Sequence, residues 1–114
     1  MPLLVFKRRI AMRYTMDDET MVNTANAVKV FSEGTEWSGR NTISLATGDE
    51  WIHQTLYQSK KGRWYIETCS QWEGSKPRAK YIEPIDAARW LLKNNYKLSD
   101  IPSELQGHVP EIEE

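Results

Sequence analysis

The clearest hydrophobic–polar pattern in the chain runs through residues 51–72, WIHQTLYQSKKGRWYIETCSQW. Two runs rich in aromatic, β-branched and Thr residues flank Ser59-Lys60-Lys61-Gly62, which predicts a β-hairpin. A Gly ending a short polar loop suits a type I turn closed by a residue with positive φ. Pairing Ser59 with Arg63 then fixes the register. One face carries Ile52, Leu56, Trp64 and Ile66, with Leu56 opposite Ile66. The other sets His53 opposite Cys69, Thr55 opposite Glu67 and Tyr57 opposite Tyr65. The first is a core face. The second is mixed, as for a surface that is partly covered or binds something.

The flanking segments complete a small domain. In residues 5–14, Phe6, Arg8, Ile10, Met12 and Tyr14 share one parity, which predicts a strand with one interruption. Met12 is an alternative start that would leave residues 1–11 as a leader. Asp17-Asp18-Glu19-Thr20 is expected to cap or begin a helical turn. Residues 21–31 carry a helical stripe of Met21, Ala25, Val28 and, fitting less well, Phe31, weakened by Asn23, Thr24, Asn26 and the Val28/Val30 pair. They read as a short helix or an irregular segment. Residues 32–48, punctuated by Gly34, Gly39 and Gly48, read as a loop around a short extended piece at 42–45, with Trp37 packed down as an anchor.

After the hairpin, residues 79–82 form a short strand that can add to it. Pro84 opens a helix, where its missing N–H costs nothing. That helix runs to about Asn94, with Ile85, Ala88, Leu91 and Leu92 as its buried stripe and Trp90 at the border. Asn94-Asn95 supplies a left-handed stop. Residues 100–105 can form one more turn, and residues 107–114 read as a disordered acidic tail. The predicted fold is α+β: residues 1–106 form a single domain, a small antiparallel sheet of three or four strands with the C-terminal helix packed on one face.

Composition narrows the partners. Five Trp and five Tyr against two Phe supply amphipathic aromatics that cover a thin sheet or populate a binding surface. A mean hydropathy of −0.65 and the absence of a long apolar run argue against a membrane partner. A single Cys forbids an internal disulfide and fits a reducing, cytoplasmic setting. Net charge is −1, but residues 59–82 carry six basic groups and two acids, while residues 99–114 carry five acids and no Lys or Arg. Lys60, Lys61, Arg63, Lys76, Arg78 and Lys80 interleave with Tyr57, Trp64, Tyr65, Trp72 and Tyr81. Cations on phosphates and rings on exposed bases would make this a single-stranded nucleic-acid surface, with Tyr57 and Tyr65 as the stacking pair. Against that stand a pI near 6.1 and the plainer account that lysines keep a hairpin tip soluble.

Three stretches together resemble a loose group of small bacterial proteins, often phage- or plasmid-borne. They are Asn23-Thr24-Ala25-Asn26-Ala27, the hairpin from Thr55 to Tyr65, and the Ile82-Glu83-Pro84 entry into Ala87-Ala88-Arg89-Trp90-Leu91. The resemblance covers roughly residues 20–95. This chain departs from it in the longer 35–48 insertion and in the 72–78 loop. It implies a sheet with a helix across it and transfers no catalytic residue.

His53 and Cys69 are the only pair resembling a base and its nucleophile, yet mid-strand placement offers no helix N-terminus and no recognisable oxyanion donors. Two His and one Cys show no metal-ligand spacing, and there is no Gly-rich phosphate loop. No cofactor or metal is expected. The reading is a non-enzymatic accessory protein, compatible with a mobile element and with self-association, that acts by binding another protein. Nucleic-acid binding is the alternative, and a small thiol-dependent enzyme the third.

Overall fold

In a computed structural model, residues 11–72 and 74–113 are described. They form an α+β domain built on a four-stranded antiparallel sheet. In chain order the strands are β1 (Arg13–Thr15), β2 (Met21–Asn23), β3 (Lys29–Ser32), β4 (Thr35–Trp37), β5 (Thr42–Ser44), β6 (Ile52–Gln58), β7 (Trp64–Ser70) and β8 (Arg78–Ile82). The helices are α1 (Pro84–Lys93), α2 (Ser103–Gln106) and α3 (Val109–Ile112), with 3-10 turns at Thr24–Asn26 and Leu98–Asp100. The main sheet has the order β3-β6-β7-β8, while β1-β2 and β4-β5 are separate two-stranded ribbons.

The central hairpin has the predicted register. Leu56 opposes Ile66, Tyr57 opposes Tyr65, Thr55 opposes Glu67 and His53 opposes Cys69. Ser59 N–H donates to Arg63 O at 2.7 Å, Gly62 N–H donates to Ser59 O at 2.8 Å, and Gly62 closes the turn at φ 91°. A left-handed residue there costs Gly nothing, and it fixes which side chains face which way for both strands.

The register gives the sheet two buried faces, each with its own core. On one, Leu56 and Trp64 pack against Ala87, Ala88, Trp90 and Leu91 of α1, with Ile66 and Phe31 at the margin. Trp90 is buried beyond the predicted border, and its indole N–H donates to Gln54 Oε1 at 3.0 Å. α1 ends as predicted, with Asn95 left-handed at φ 67° and Tyr96 N–H closing on Leu91 O at 3.0 Å. Gly34 passes so close to this end that a Cβ would lie 2.7 Å from Asn94 O. Its N–H donates to Asn94 Oδ1 at 2.8 Å, so the glycine locks the β3–β4 corner onto the helix terminus.

On the other face Tyr57 and Tyr65 pack against Tyr14, Met16 and Val22 of the β1-β2 ribbon. The ribbon departs from the expected helical segments. Asp17–Thr20 makes a hairpin turn instead of a helix start: Met16 N–H donates to Thr20 O at 2.7 Å, and Asp18 Oδ1 accepts from Thr20 N–H at 3.0 Å. Residues 21–31 divide into β2, a 3-10 turn capped by the Asn23 side chain on Ala25 N–H at 2.9 Å, and β3. Sheet pairing favours the β-branched Val22 and Val30 there, and Asn23 interrupts any helix by capping. Of the strand expected at 5–14, residues 5–10 lie outside the described residues, as does most of the alternative leader at 1–11.

Two further expectations give way. Trp37, expected to anchor a loop, sits on the β4-β5 ribbon and is 66% exposed. The expected disordered tail from 107 is ordered through Glu113. α3 places Val109 in the core at 6% exposure, with Ile112 packed beside it. An acidic composition masked two apolar residues at i and i+3, which meet the core on one side of a short turn.

Candidate binding surfaces

The residues expected to bind nucleic acid do not converge. Tyr57 and Tyr65 are 1% and 0% exposed and stack on each other at 5.1 Å, so neither offers a ring to a base. Of the ribbon that covers them, the sequence predicts the first strand but reads the turn and second strand as a helical turn and a short helix or irregular segment, so it does not fold them back over this face. Lys60, Lys61 and Arg63 remain at the exposed hairpin tip. Arg63 turns toward the ribbon, binding Asp18 Oδ2 at 2.8 Å and lying 3.5 Å above the Tyr81 ring. Hydrogen bonds from Thr20 and from Arg63 hold the Asp18 carboxyl well below the usual carboxylate range. Lys80 opposes Ile66, so Arg78 and Lys80 belong to the helix-side parity of the sheet. Lys76 lies exposed in the loop before β8. The six cations are thus divided between the tip, a loop and the opposite face.

The His53–Cys69 pair is opposed as predicted, but the imidazole is engaged elsewhere. Its Nδ1 lies 2.6 Å from Glu33 Oε2, and its Nε2 lies 3.4 Å from Gln71 Nε2. With Nδ1 protonated toward the carboxylate, Nε2 accepts from the Gln71 amide. Glu33 also accepts from Ser44 Oγ at 2.6 Å and Gln54 N–H at 2.8 Å. It therefore ties β3, β5 and β6 together as a structural carboxylate. Nothing in the sequence singled it out, because it sits in a stretch that reads as loop.

The ribbon-side core also contains a buried carboxylate. Glu67, 6% exposed, accepts hydrogen bonds from the hydroxyls of Tyr14 and Tyr57, the latter at 3.1 Å. Burial, reinforced by Glu67, raises the Tyr14 hydroxyl above its ordinary value.

At the open end of the hairpin, opposite the basic tip, Trp51 and Trp72 lie ring against ring with centroids 5.6 Å apart. They are 42% and 60% exposed. Their backbones are held: Trp51 N–H donates to Asp49 Oδ1 at 2.6 Å, Gln71 N–H to Trp51 O at 2.9 Å, and Trp72 N–H to Ser70 Oγ at 3.1 Å. The register places both at one end of the hairpin but on opposite strand parities, so their ring contact was not foreseen from sequence; both lie just beyond the paired residues, where the backbone leaves the ladder.

Among the described residues, no group of three or more His, Cys, Asp or Glu is placed to hold a metal ion, and no helix is long and apolar enough to cross a membrane. Compared with protein-family models, curated proteins and solved structures, the chain matches none.

Proposed function

We propose that this is a non-enzymatic accessory protein that acts by binding another protein, with the Trp51–Trp72 pair as its principal contact. The observation that carries the reading is two large aromatic side chains, exposed yet mutually packed, on a backbone held by hydrogen bonds. Ordered Trp side chains lose little conformational entropy when covered, and they dominate binding energy where they anchor an interface. An apolar segment of a partner protein fits this chemistry. The basic tip is about 20 Å away along the seven-residue strand, too far to serve the same bases. That separation, with Tyr57 and Tyr65 buried, favours protein over nucleic acid. The Gln71 amide on His53 Nε2 occupies the nitrogen a general base would use, which favours binding over thiol catalysis. The resemblance to small mobile-element proteins is in keeping with an accessory role.

The test compares wild type with a Trp51→Ser/Trp72→Ser double variant as bait in host extract, followed by titration of the captured protein after purification. A purified partner that binds the variant at least about tenfold more weakly supports the reading, as expected for hot-spot residues. Equal binding to both baits overturns it, as does self-association that accounts for all binding.

A further inference from the structure

We propose that the cleft between the β1-β2 ribbon and the tip of the central hairpin is a binding site for a phosphate-bearing small molecule of mononucleotide type. The cleft has a volume of about 470 Å³, within the range of small-molecule sites. Arg13 from β1 and Lys60, Lys61 and Arg63 from the tip line it, and no Asp or Glu among the described residues does. Arg63 is already engaged by Asp18 and Tyr81. Arg13, Lys60 and Lys61 have no salt-bridge partner among the described residues, although the chain as a whole is slightly acidic. Arg13, Lys60 and Lys61, drawn from two separate segments around one concavity, raise the local potential for an anion.

The inner wall adds a second, independent observation. Tyr65 lines the cleft, and its hydroxyl is the one buried side-chain polar atom among the described residues without a hydrogen-bond partner. A buried donor left unpaired is costly, and a ligand oxygen would satisfy it. The Tyr65 hydroxyl is protonated at neutral pH and able to donate; burial, with the neighbouring Glu67 carboxylate, pushes it further up, to about 12. The hydroxyl is fully covered, so reaching it requires the adjoining wall to shift. That wall includes Tyr81, whose ring meets Tyr65 edge-on at 6.3 Å and is held by a 2.9 Å hydrogen bond to Thr20 and by the Arg63 stack. An incoming phosphate competes with Asp18 for Arg63 and thereby loosens this wall. Met21 and Val22 give the cleft an apolar side against which a base or other flat body rests. A bare anion would use only the cationic rim, whereas a nucleotide uses both.

The test titrates the full-length chain with ADP, AMP and inorganic phosphate at low salt, by calorimetry. Saturable binding of ADP tighter than phosphate, weakening with salt, is expected. Lys60→Ala/Lys61→Ala should lower affinity about tenfold or more through lost charge-assisted contacts. Tyr65→Phe should weaken ADP binding while leaving the melting temperature unchanged or higher, a combination that loss of fold does not produce. An ADP affinity unaffected by Tyr65→Phe overturns the site. No binding at millimolar ADP overturns it, as does an oligothymidylate that binds tighter than ADP and is insensitive to Tyr65→Phe. The Trp51→Ser/Trp72→Ser variant should bind ADP normally, which separates this proposal from the protein-contact reading.

Discussion

Tyr57 and Tyr65 face each other across the central hairpin, stacked at 5.1 Å and almost equally buried, yet their hydroxyls differ in kind. Tyr57 donates to the Glu67 carboxylate at 3.1 Å, whereas the Tyr65 hydroxyl has no partner among the described residues. Replacing each by Phe keeps the ring and removes only the oxygen, so the packing contribution is nearly constant. For Tyr65→Phe, the folded state no longer desolvates an unpaired hydroxyl. That penalty is about 1–3 kcal/mol, so the variant is expected to be more stable by roughly this amount. For Tyr57→Phe, the carboxylate loses one of its two tyrosine donors. Hydrogen bonds to charged groups contribute about 1.5–3 kcal/mol, so this variant is expected to be less stable by a similar amount. Urea unfolding of both variants beside wild type decides the matter, with unchanged m-values showing that the denatured state is comparable. The reasoning is refuted if Tyr65→Phe is destabilising by more than about 0.5 kcal/mol, the range of ordinary surface changes, or if both variants shift stability in the same direction.

Two further outcomes follow from the same cores. Ending the chain after Gly107 removes Val109, buried at 6% exposure, and Ile112 beside it; stability should fall by at least the ~1.5–3 kcal/mol of one buried valine, and an unchanged melting temperature would place α3 outside the cooperative unit. Tyr65 is raised to about 12 by burial, and Tyr14 is raised as well, by burial and Glu67, against about 10 in an unfolded chain. The unfolded state therefore loses these protons first. Stability should be insensitive to these groups below pH ~10 and decline as pH rises toward and through 12. Urea midpoints at neutral and alkaline pH measure this, and Tyr65→Phe should shallow the alkaline decline, whereas an identical slope would show that Tyr65 ionises freely in the fold.

Local rules determined the central hairpin and the helix. Gly62 after a short polar loop set the turn, the turn set the register, and the register set which residues oppose each other, down to His53 against Cys69. Pro84, the Leu91 stripe and Asn95 bounded α1 because caps and helical periodicity act within a few residues. The fate of the second hairpin face was not local. Whether Tyr57 and Tyr65 met solvent or protein depended on residues 13–23 folding back as a ribbon, and that segment's own propensities are weak enough for tertiary pairing to decide them. The same holds for Val109, where two apolar residues in an acidic stretch are buried only because a core exists to receive them. Glu33 reads as a loop acid until β5 and β6 bring Ser44, His53 and Gln54 to it. The cleft joins Arg13 to Lys60 and Lys61 across nearly fifty positions of sequence. Sequence patterns report short-range preferences, and these sites are made by long-range closure, in which burial and pairing energies outweigh what any single segment prefers.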